Sequence, residues 1–453
     1  MPIFLDEGKY GGMFTRRQLR ILILPLIVEQ FLAVTIGMAD SVMVASCGEA
    51  SVSGVSLVDS LNILLINIFS ALATGGAIVS AQFIGREEPE NASRSAEQLL
   101  YVVTAVSTLV MAVCLVGGGG LLSLLFGKAE ADVMTNAQVY FFWSALSYPF
   151  IAVYNAGAAL FRAMGNSRVS MTTSILMNAI NICGNAILIF GFQMGVAGAA
   201  IATLVSRLTG AVLIVSLLRY RPHTIQLPPL LRWEFRSRMI RQILTIGIPN
   251  GLENGMFQVG KILLQSLITS FGTVALTANA VANTVAMLPQ IPGSAIGLAL
   301  ITVVGQCIGA GRYDEAKRYT LRLTGLAYAL MAGLCALEAV FAPALVFCFQ
   351  LSEASSALTV QLLIYHGILC ALFWPAAFVL PNGLRAANDV RFTMCTSILS
   401  MGIFRIGFSY LLAQGLQMGV LGVWVAMTID WVVRAAVFFI RLLSGGWKKR
   451  QLL

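Results

Sequence analysis

The residues of this chain that could do chemistry are ionisable side chains inside long apolar stretches. Asp40 stands in one of them, within the segment Gly37–Val44. Because a carboxylate is costly to bury in hydrocarbon, an acid at such a position is a candidate functional residue. A carboxylate can take up a proton or ligate a hard cation. We therefore favour a binding site for a coupling cation at Asp40. The alternative is a structural acid that is hydrogen-bonded to neighbouring amides or hydroxyls.

Amide side chains form a second set of candidates. Asn178, Asn181 and Asn185 are three and four residues apart, so they share one face of a helix. An amide stripe of this kind can coordinate a hard cation or form hydrogen bonds with a neighbouring helix. The residues taken alone favour the packing role.

Two acids occur in matching surroundings. Each stands four residues after a proline and directly before an amide: Pro25, Glu29 and Gln30 in one place, and Pro249, Glu253 and Asn254 in the other. The acids could pack a gate near the cytoplasm or attract a substrate, two roles that we weigh equally, and a lone structural hydrogen bond is the third. The prolines are expected to bend or locally unwind their helices and to act as hinges.

The other ionisable residues inside apolar stretches have simpler interpretations. Lys261 lies seven residues after Asn254 on the same helix face, and it either neutralises a carboxylate or is a neutral, partnered amine. Arg434 follows Asp430 by four residues, which favours an ion pair within one helix. His366 is interpreted as a hydrogen-bonded contact between helices. Three more residues complete the set: Arg207, Glu338 and Arg405.

The composition shows which elements must position these residues. Hydrophobic residues make up 58% of the 453 residues and charged residues only 11%, which is too little charge to cover the surface of a soluble protein. Twelve apolar runs are long enough to span a bilayer: 19–44, 53–81, 96–124, 134–158, 169–190, 195–218, 240–270, 275–307, 321–348, 357–380, 392–414 and 418–443. The sequence therefore predicts an all-α polytopic membrane protein with twelve transmembrane helices.

The two halves of the chain repeat one another at a separation of 224 positions. Seven residues of the first half recur at this separation: Pro25, Glu29, Gly48, Gln82, Gly85, Ala92 and Arg94. Each half contains six spans, so both halves enter the membrane in the same orientation and form parallel six-helix repeats, related by an axis along the membrane normal. We expect an N-lobe at 1–218, a cytoplasmic linker at 219–238 and a C-lobe at 239–453.

The repeat separates shared residues from residues of one lobe only. Glu29 and Glu253 occupy equivalent places, so we expect them to face one another across the axis, in a cleft whose negative potential favours cations. Asp40, in contrast, has Leu264 as its counterpart. An acid that is present in only one lobe is not required by the shared scaffold, and this asymmetry favours a functional role.

Lysine and arginine alternate between the loops. The N-terminal segment, the even-numbered loops and the C-terminal tail are rich in them, whereas the odd-numbered loops contain one, Lys128. The pattern predicts a cell-membrane protein with both termini in the cytoplasm, and it accounts for the net charge of +9 without a nucleic-acid partner. The eight cysteines form no CxxC pair and the two histidines lie far apart, so neither a bound cofactor nor an enzyme is indicated.

Several motifs and their order resemble those of the multidrug and toxic compound extrusion (MATE) transporters over almost the whole chain. They are Gly37–Val44 with Pro25 upstream, Ala81–Gly85, Phe161–Asn166 and Gly195–Ala200. The resemblance implies two six-helix lobes around a central cavity. It also implies the export of cationic, amphipathic organic compounds by alternating access, in exchange for protons or sodium ions. The expected partners are small organic cations and the lipid bilayer, and we expect a monomer.

The resemblance implies roles for individual residues as well. Asp40 matches an acid in span 1 that, in the DinF-like branch, works with an Asn and an Asp in span 5 and a Thr in span 6; the matching residues here are Asn181, Asn185 and Thr203. These four residues would bind the coupling ion, H⁺ or Na⁺. Asn185 stands where the branch has Asp, and the missing carboxylate favours the proton. The NorM-like branch has a Glu in span 7 at the position of Phe257, and here an acid, Glu253, lies one turn nearer the cytoplasm. The chain therefore looks mixed between the two branches, and its match to the C-lobe ion site of NorM-like members is incomplete.

Other functions are compatible with the spans. A lipid-linked oligosaccharide flippase of the same superfamily would favour a cavity rich in Arg for pyrophosphate, and three Arg lie inside spans: Arg207, Arg405 and Arg434. A membrane enzyme would need clustered acids or histidines, which the sequence lacks. A channel would more often be a symmetric oligomer than one chain with two unlike lobes. We expect instead an antiporter with these residues in its substrate cavity or gate: Glu29, Gln30, Asn178, Glu253, Asn254 and Lys261.

Overall fold

The computed structural model describes residues 12–126, 130–220, 223–227 and 234–449, which are almost entirely helical and contain no strand. Twelve helices follow one another in this part of the chain: α1 (Arg16–Ala45), α2 (Glu49–Gly85), α3 (Pro89–Phe126), α4 (Ala131–Leu146 and Tyr148–Ala163), α5 (Ser167–Asn185, continued by Ala186–Gly191), α6 (Gly195–Tyr220), α7 (Ser237–Thr269), α8 (Thr273–Ala286 and Ile291–Gly309), α9 (Tyr313–Phe347), α10 (Glu353–Trp374, Pro375–Val379 and Leu380–Ala386), α11 (Val390–Ser400, Met401–Gly407, Phe408–Tyr410 and Leu411–Gly415) and α12 (Gly419–Ser444). A short 3₁₀ turn, Gly446–Lys449, follows α12. Lys128 and the linker prolines lie outside the described residues: Pro222, Pro228 and Pro229.

Most of these helices are long and apolar enough to cross a membrane. Ten segments of the described chain meet that condition. The exceptions are α4, which is divided into two pieces of 16 residues at Ser147, and α7, which is long enough but contains the polar residues Glu253, Asn254 and Lys261. Both exceptions fall on predicted spans, and both follow from polar or helix-breaking residues within them.

Several helices are interrupted where proline or polar residues stand. α8 is broken at residues 287–290, which contain Pro289 and lie just before Pro292, because proline cannot continue the hydrogen bonds of a helix. A π-helical segment begins directly after Asn185 in α5, and another contains Arg405 in α11. Wide turns of this kind are frequent at functional sites, so they direct attention to these two polar residues.

The described residues form two compact units. The first, the N-unit, is Leu24–Gly251; the second, the C-unit, comprises the described residues of Met1–Ile23 and Leu252–Leu453. The chain changes unit inside α1 and α7, next to Pro25 and two residues after Pro249. Both helices continue through their prolines without unwinding. The hinge role and the lobe boundaries stay predictions.

Small residues allow α2 and α7 to approach closely within the N-unit. A Cβ atom at Gly75 would lie 2.7 Å from the carbonyl oxygen of Ile243 and 2.9 Å from the backbone nitrogen of Gly247. One turn away, a Cβ atom at Gly251 would lie 3.7 Å from Cβ of Ala71. Each helix therefore presents two small residues spaced by four, which is the usual means of close helix contact in membranes.

Candidate functional site

Asp40 lies in a hydrogen-bonded cluster built from α1, α5 and α6 of the N-unit. Asn185 Nδ2 donates a hydrogen bond to Asp40 Oδ1 at 2.5 Å. In the amide orientation that satisfies both of its ends, Asn181 donates to the two carboxylate oxygens at 2.8 and 3.2 Å and accepts from Thr203 Oγ1 at 3.1 Å. The structure thus brings together the four residues that the resemblance connects. Their role as a cation site stays a prediction.

The polar cluster around Asp40 is largely buried. Asn181 and Asn185 are only 5% and 1% exposed, and Asp40 is half-buried. Within the described structure, the Oδ1 atom of Asn185 is buried without a hydrogen-bond partner. Because buried polar atoms are normally satisfied, this oxygen marks a place where a proton donor or a cation could be accommodated.

Asp59 in α2 is a second acid of this site, and it is not among the residues predicted from the sequence. Tyr140 Oη and Asn62 Nδ2 donate hydrogen bonds to Asp59 Oδ1 at 3.3 and 3.2 Å. Its charge acts on Asp40, and the guanidinium of Arg207 acts on both acids. An acid inside the apolar run 53–81 is the signal that could have found it, by the rule that singled out Asp40.

Arg207 is anchored at the break in α4. Its Nη1 atom donates a hydrogen bond to Ser147 Oγ at 2.7 Å, and Ser147 Oγ in turn donates to the carbonyl oxygen of Ser144 at 2.7 Å. Asn178, the third member of the amide stripe, donates to Ser174 Oγ at 3.4 Å, one turn away in its own helix. That local contact does not join Asn178 to the Asp40 cluster, and its predicted place in the substrate cavity or gate stays a prediction.

The duplicated acids are each held by residues of their own unit. Glu29 accepts a hydrogen bond from Ser170 Oγ at 2.8 Å, and its Oε1 lies 3.5 Å from Arg162 Nη1. Glu253 Oε1 accepts a hydrogen bond from Arg385 Nη2 at 2.6 Å. The acids are only 8% and 7% exposed. Each is therefore a partnered group in its own unit, which supports a structural role. Their placement across the axis stays a prediction.

The amides that follow these acids, and Lys261, make fewer contacts. Gln30 and Asn254 are half-buried, and neither forms a side-chain hydrogen bond with the described residues. The Nζ atom of Lys261 lies 5.1 Å from the ring centroid of Phe257. It forms no ion pair within the described chain, so of the two roles predicted for Lys261 the neutralisation of a carboxylate finds no partner there.

Two further clusters of buried charges lie in the C-unit. Asp430 Oδ1 accepts a hydrogen bond from Arg434 Nε at 2.8 Å, the predicted pair within one helix, and Asp430 Oδ2 lies 3.7 Å from Arg405 Nη1. His366 Nδ1 lies 3.1 Å from Glu338 Oε2, which joins α10 to α9. Both clusters are inside the protein, where partnered charges are the rule.

Comparisons with known proteins match this architecture. A model of the MatE family matches residues 25–187 and 249–411, two segments offset by the spacing of the internal repeat. The uncharacterized transporter YisQ of Bacillus subtilis is 27% identical over 430 residues, which cover 93% of each chain. The probable multidrug resistance protein NorM of Thermotoga maritima is 25% identical over 97% of this chain and 94% of its own.

Solved structures share the fold. An outward-facing multidrug resistance MATE family transporter of the MOP superfamily matches with a TM-score of 0.88 at 20% identity, over 96% of each chain. A MOP superfamily transporter from Pyrococcus furiosus, whose binding pocket is described as having reverse polarity, matches with a TM-score of 0.89 at 21% identity, over 96% of this chain and 97% of its own. These matches confirm the predicted twelve-helix membrane fold and the resemblance.

Proposed function

This chain belongs to the MatE family of membrane transporters, and from that premise we propose that it is a secondary active antiporter that exports organic compounds. It is a multi-pass membrane protein and not an enzyme. Several relatives are named as probable multidrug resistance proteins, which supports drugs or similar organic compounds as substrates here. These names do not favour the oligosaccharide flippase. We propose that the protein lies in the cell membrane as a monomer. The distribution of Lys and Arg supports an orientation with both termini in the cytoplasm.

One observation carries the antiport proposal: within the N-unit, Asp40 is hydrogen-bonded to Asn181 and Asn185, and Asn181 in turn to Thr203. A carboxyl group inside a transporter can bind a cation from one side of the membrane and release it on the other. Antiport requires such a group, because the entering ion must be held while the substrate is released. Asp40 is the acid of this cluster that both amides contact.

The amide of Asn185 can serve both protonation states of Asp40. Its Nδ2 donates to the ionised carboxylate, and its Oδ1 is buried without a partner in the described structure. When Asp40 takes up a proton, a half-turn of the amide presents Oδ1 to the new O–H donor. The cluster therefore offers a hydrogen bond to either state, which supports reversible proton binding.

The same cluster is a weaker site for sodium. Carboxylate, amide and hydroxyl oxygens are hard ligands, but Asp40 is the one anion among its four members. The carboxylate of Asp59 is already held by Tyr140 and Asn62. We therefore propose the proton as the coupling ion. Cationic amphipathic compounds are the substrates that the resemblance implies, and the acids Asp40 and Asp59 inside the N-unit support that choice.

Transport by the purified protein tests this function. The protein is reconstituted into liposomes, and the movement of the fluorescent cation ethidium is followed while a pH gradient and a sodium gradient are imposed separately. We expect a pH gradient to drive ethidium transport and a sodium gradient alone to fail. Transport that follows the sodium gradient after the pH gradient has been collapsed would replace the proton with sodium. Ethidium that moves under neither gradient would contradict the antiport of organic cations.

A further inference from the structure

The C-unit contains a cavity of about 450 Å³, within the size range of small-molecule sites. We call it the C-unit cavity. Its wall combines aromatic rings with two cationic side chains, and these residues define it for the argument: Phe257, Lys261, Phe378, Arg405, Trp424 and Trp431. Among the described residues that line it, none is an acid. A flat apolar group can lie on the rings while the cations face a charged substituent.

The cations of this cavity exceed the anions that could neutralise them. Asp430 is shared between Arg434, at 2.8 Å, and Arg405, at 3.7 Å, so one carboxylate serves two guanidinium groups. Lys261 has no anionic partner in the described structure. All three cationic groups surround the ring of Phe257, with centroid distances of 5.1 to 5.8 Å. The region therefore keeps a positive charge that a ligand could neutralise.

A second observation concerns Arg405, a residue of the cavity wall. The Nε atom of Arg405 is buried and has no hydrogen-bond partner in the described chain. Arg405 belongs to the π-helical segment of α11, which turns its backbone away from regular helix geometry. An unused guanidinium donor is typical of a residue that awaits a carboxylate or a similar planar anion.

His366 and Glu338 do not cancel this charge. The imidazole lines the cavity, and Glu338, at 4% exposed, lies behind it and contacts His366 Nδ1 at 3.1 Å. Gln290 Nε2 lies 3.3 Å from the other ring nitrogen. With a neutral imidazole, Glu338 contributes one negative charge behind the wall; with a protonated imidazole, the pair contributes none. Lys261, Arg405 and Arg434 against Asp430 leave a positive balance in both cases.

We propose that the C-unit cavity binds amphipathic aromatic anions, with a carboxylate or sulfonate between Lys261 and Arg405 and the ring system on the aromatic wall. This inference rests on the proposed export of organic compounds and names a class of substrate for it. It differs from the organic cations that the family resemblance implies. Trp424 and Phe378 supply the stacking surface, and a charge-assisted bond to a guanidinium or ammonium group supplies the preference for anions.

Fluorescence can test this binding because Trp374, Trp424 and Trp431 line the cavity. Purified protein is titrated with dansylglycine, an aromatic anion, and with dansyl ethylenediamine, the matched cation. Energy transfer from tryptophan to the dansyl group reports binding. We expect the anion to bind at least about tenfold more tightly than the cation. Equal affinity, or tighter binding of the cation, would overturn the proposal.

Variants of Lys261 locate the site. Lys261→Gln should weaken the binding of dansylglycine about tenfold, Lys261→Arg should retain it, and Lys261→Glu should reverse the preference toward the cation. Lys448→Gln is the matched control, because Lys448 pairs with Asp314 at 2.7 Å outside the cavity. Thermal unfolding checks that each variant is folded. If Lys261→Gln and Lys261→Glu fold but bind the anion as the wild type does, the assignment is wrong.

Competition distinguishes organic anions from other sources of negative charge. Millimolar chloride or inorganic phosphate should not displace dansylglycine, and vesicles that contain anionic lipid should not displace it either. Displacement by any of these would identify a site for small anions or lipid headgroups and overturn the proposal.

Binding is measured without any ion gradient. A protein that binds dansylglycine but fails in the liposome assay contradicts the antiport proposal alone. One that exports ethidium but does not bind dansylglycine contradicts this inference alone.

Discussion

Arg385 Nη2 lies 2.6 Å from Glu253 Oε1, and Arg162 and Glu29 form the same ion pair at 3.5 Å in the other repeat. The two acids are 224 positions apart and the two arginines 223, because the register of the repeat shifts by one position between them. Each pair joins residues that are more than 130 positions apart, inside one unit. A carboxylate that is neutralised by its own arginine exerts little attraction on a distant cation. The duplicated acids therefore have the properties of scaffold residues, present in both units because both units need them.

Removal of one partner of such a pair should destabilise the protein. Glu253→Gln leaves the guanidinium of Arg385, which is 13% exposed, without its anion. The expected loss is about 3 kcal/mol in the free energy of unfolding, since breaking a buried pair is more damaging than replacing both partners. Unfolding in detergent measures it. The double variant Glu253→Gln/Arg385→Gln should recover part of the loss, and additive losses would show that the two residues do not interact.

The joint variant Glu29→Gln/Glu253→Gln separates packing from attraction of substrate. Because each acid already has an arginine partner, we expect the export of a cationic dye and of a neutral dye to change by the same factor. Lower stability would affect both dyes alike, so the ratio of the two rates is the quantity to measure. A selective loss of the cationic dye would restore the electrostatic role.

Asp40→Asn should abolish coupled export and leave expression and folding intact. The amide has nearly the same shape and can still bond to Asn181 and Asn185, but it cannot release a proton. Dye uptake into inverted vesicles under a fixed pH gradient measures the effect. Asp314→Asn, at a side chain that is 90% exposed, is the matched control. Wild-type rates in the Asp40 variant would remove Asp40 from the mechanism.

Asp59→Asn should reduce coupled export, but by less than Asp40→Asn. Asp59 acts on Asp40 through its charge, whereas its own contacts to Tyr140 and Asn62 can be kept by an amide. The same vesicle assay applies, with the two variants compared at equal protein levels. An Asp59 variant that is as inactive as the Asp40 variant would make the two acids equal partners in ion binding.

Gly75→Ala should destabilise the N-unit. The added methyl group would lie 2.7 Å from the Ile243 carbonyl oxygen and 2.9 Å from the Gly247 nitrogen, both backbone atoms that cannot turn aside. The expected loss is about 1–3 kcal/mol, typical of overpacking. Gly119→Ala is the control, because a Cβ atom there meets no atom within 4 Å. Equal unfolding temperatures for the two variants would show that α2 and α7 can separate without loss.

The sequence predicts the helices well because apolar runs and a duplicated order are properties of single segments. Asp40, Asn181, Asn185 and Thr203 come together as the resemblance implies. Contacts between distant segments cannot be predicted in this way. The ion pair between Glu29 and Arg162 depends on how three helices pack, and the spacing of residues along one segment does not predict it. Lys261 was predicted to be either the partner of a carboxylate or a neutral, partnered amine. The absence of an ion pair at Lys261 in the described structure likewise depends on the residues of other helices.

Lys261 and Arg405 determine how the proposed cycle responds to voltage. Export of an organic anion in exchange for one entering proton carries two positive charges inward in each turnover. A potential of 100 mV, negative inside, then adds about 4.6 kcal/mol of driving force, at roughly 2.3 kcal/mol per charge. Export of a monovalent cation for one proton moves no net charge and gains nothing from that potential. The sign of the charge in one cavity therefore decides whether the proposed antiporter is electrogenic or electroneutral.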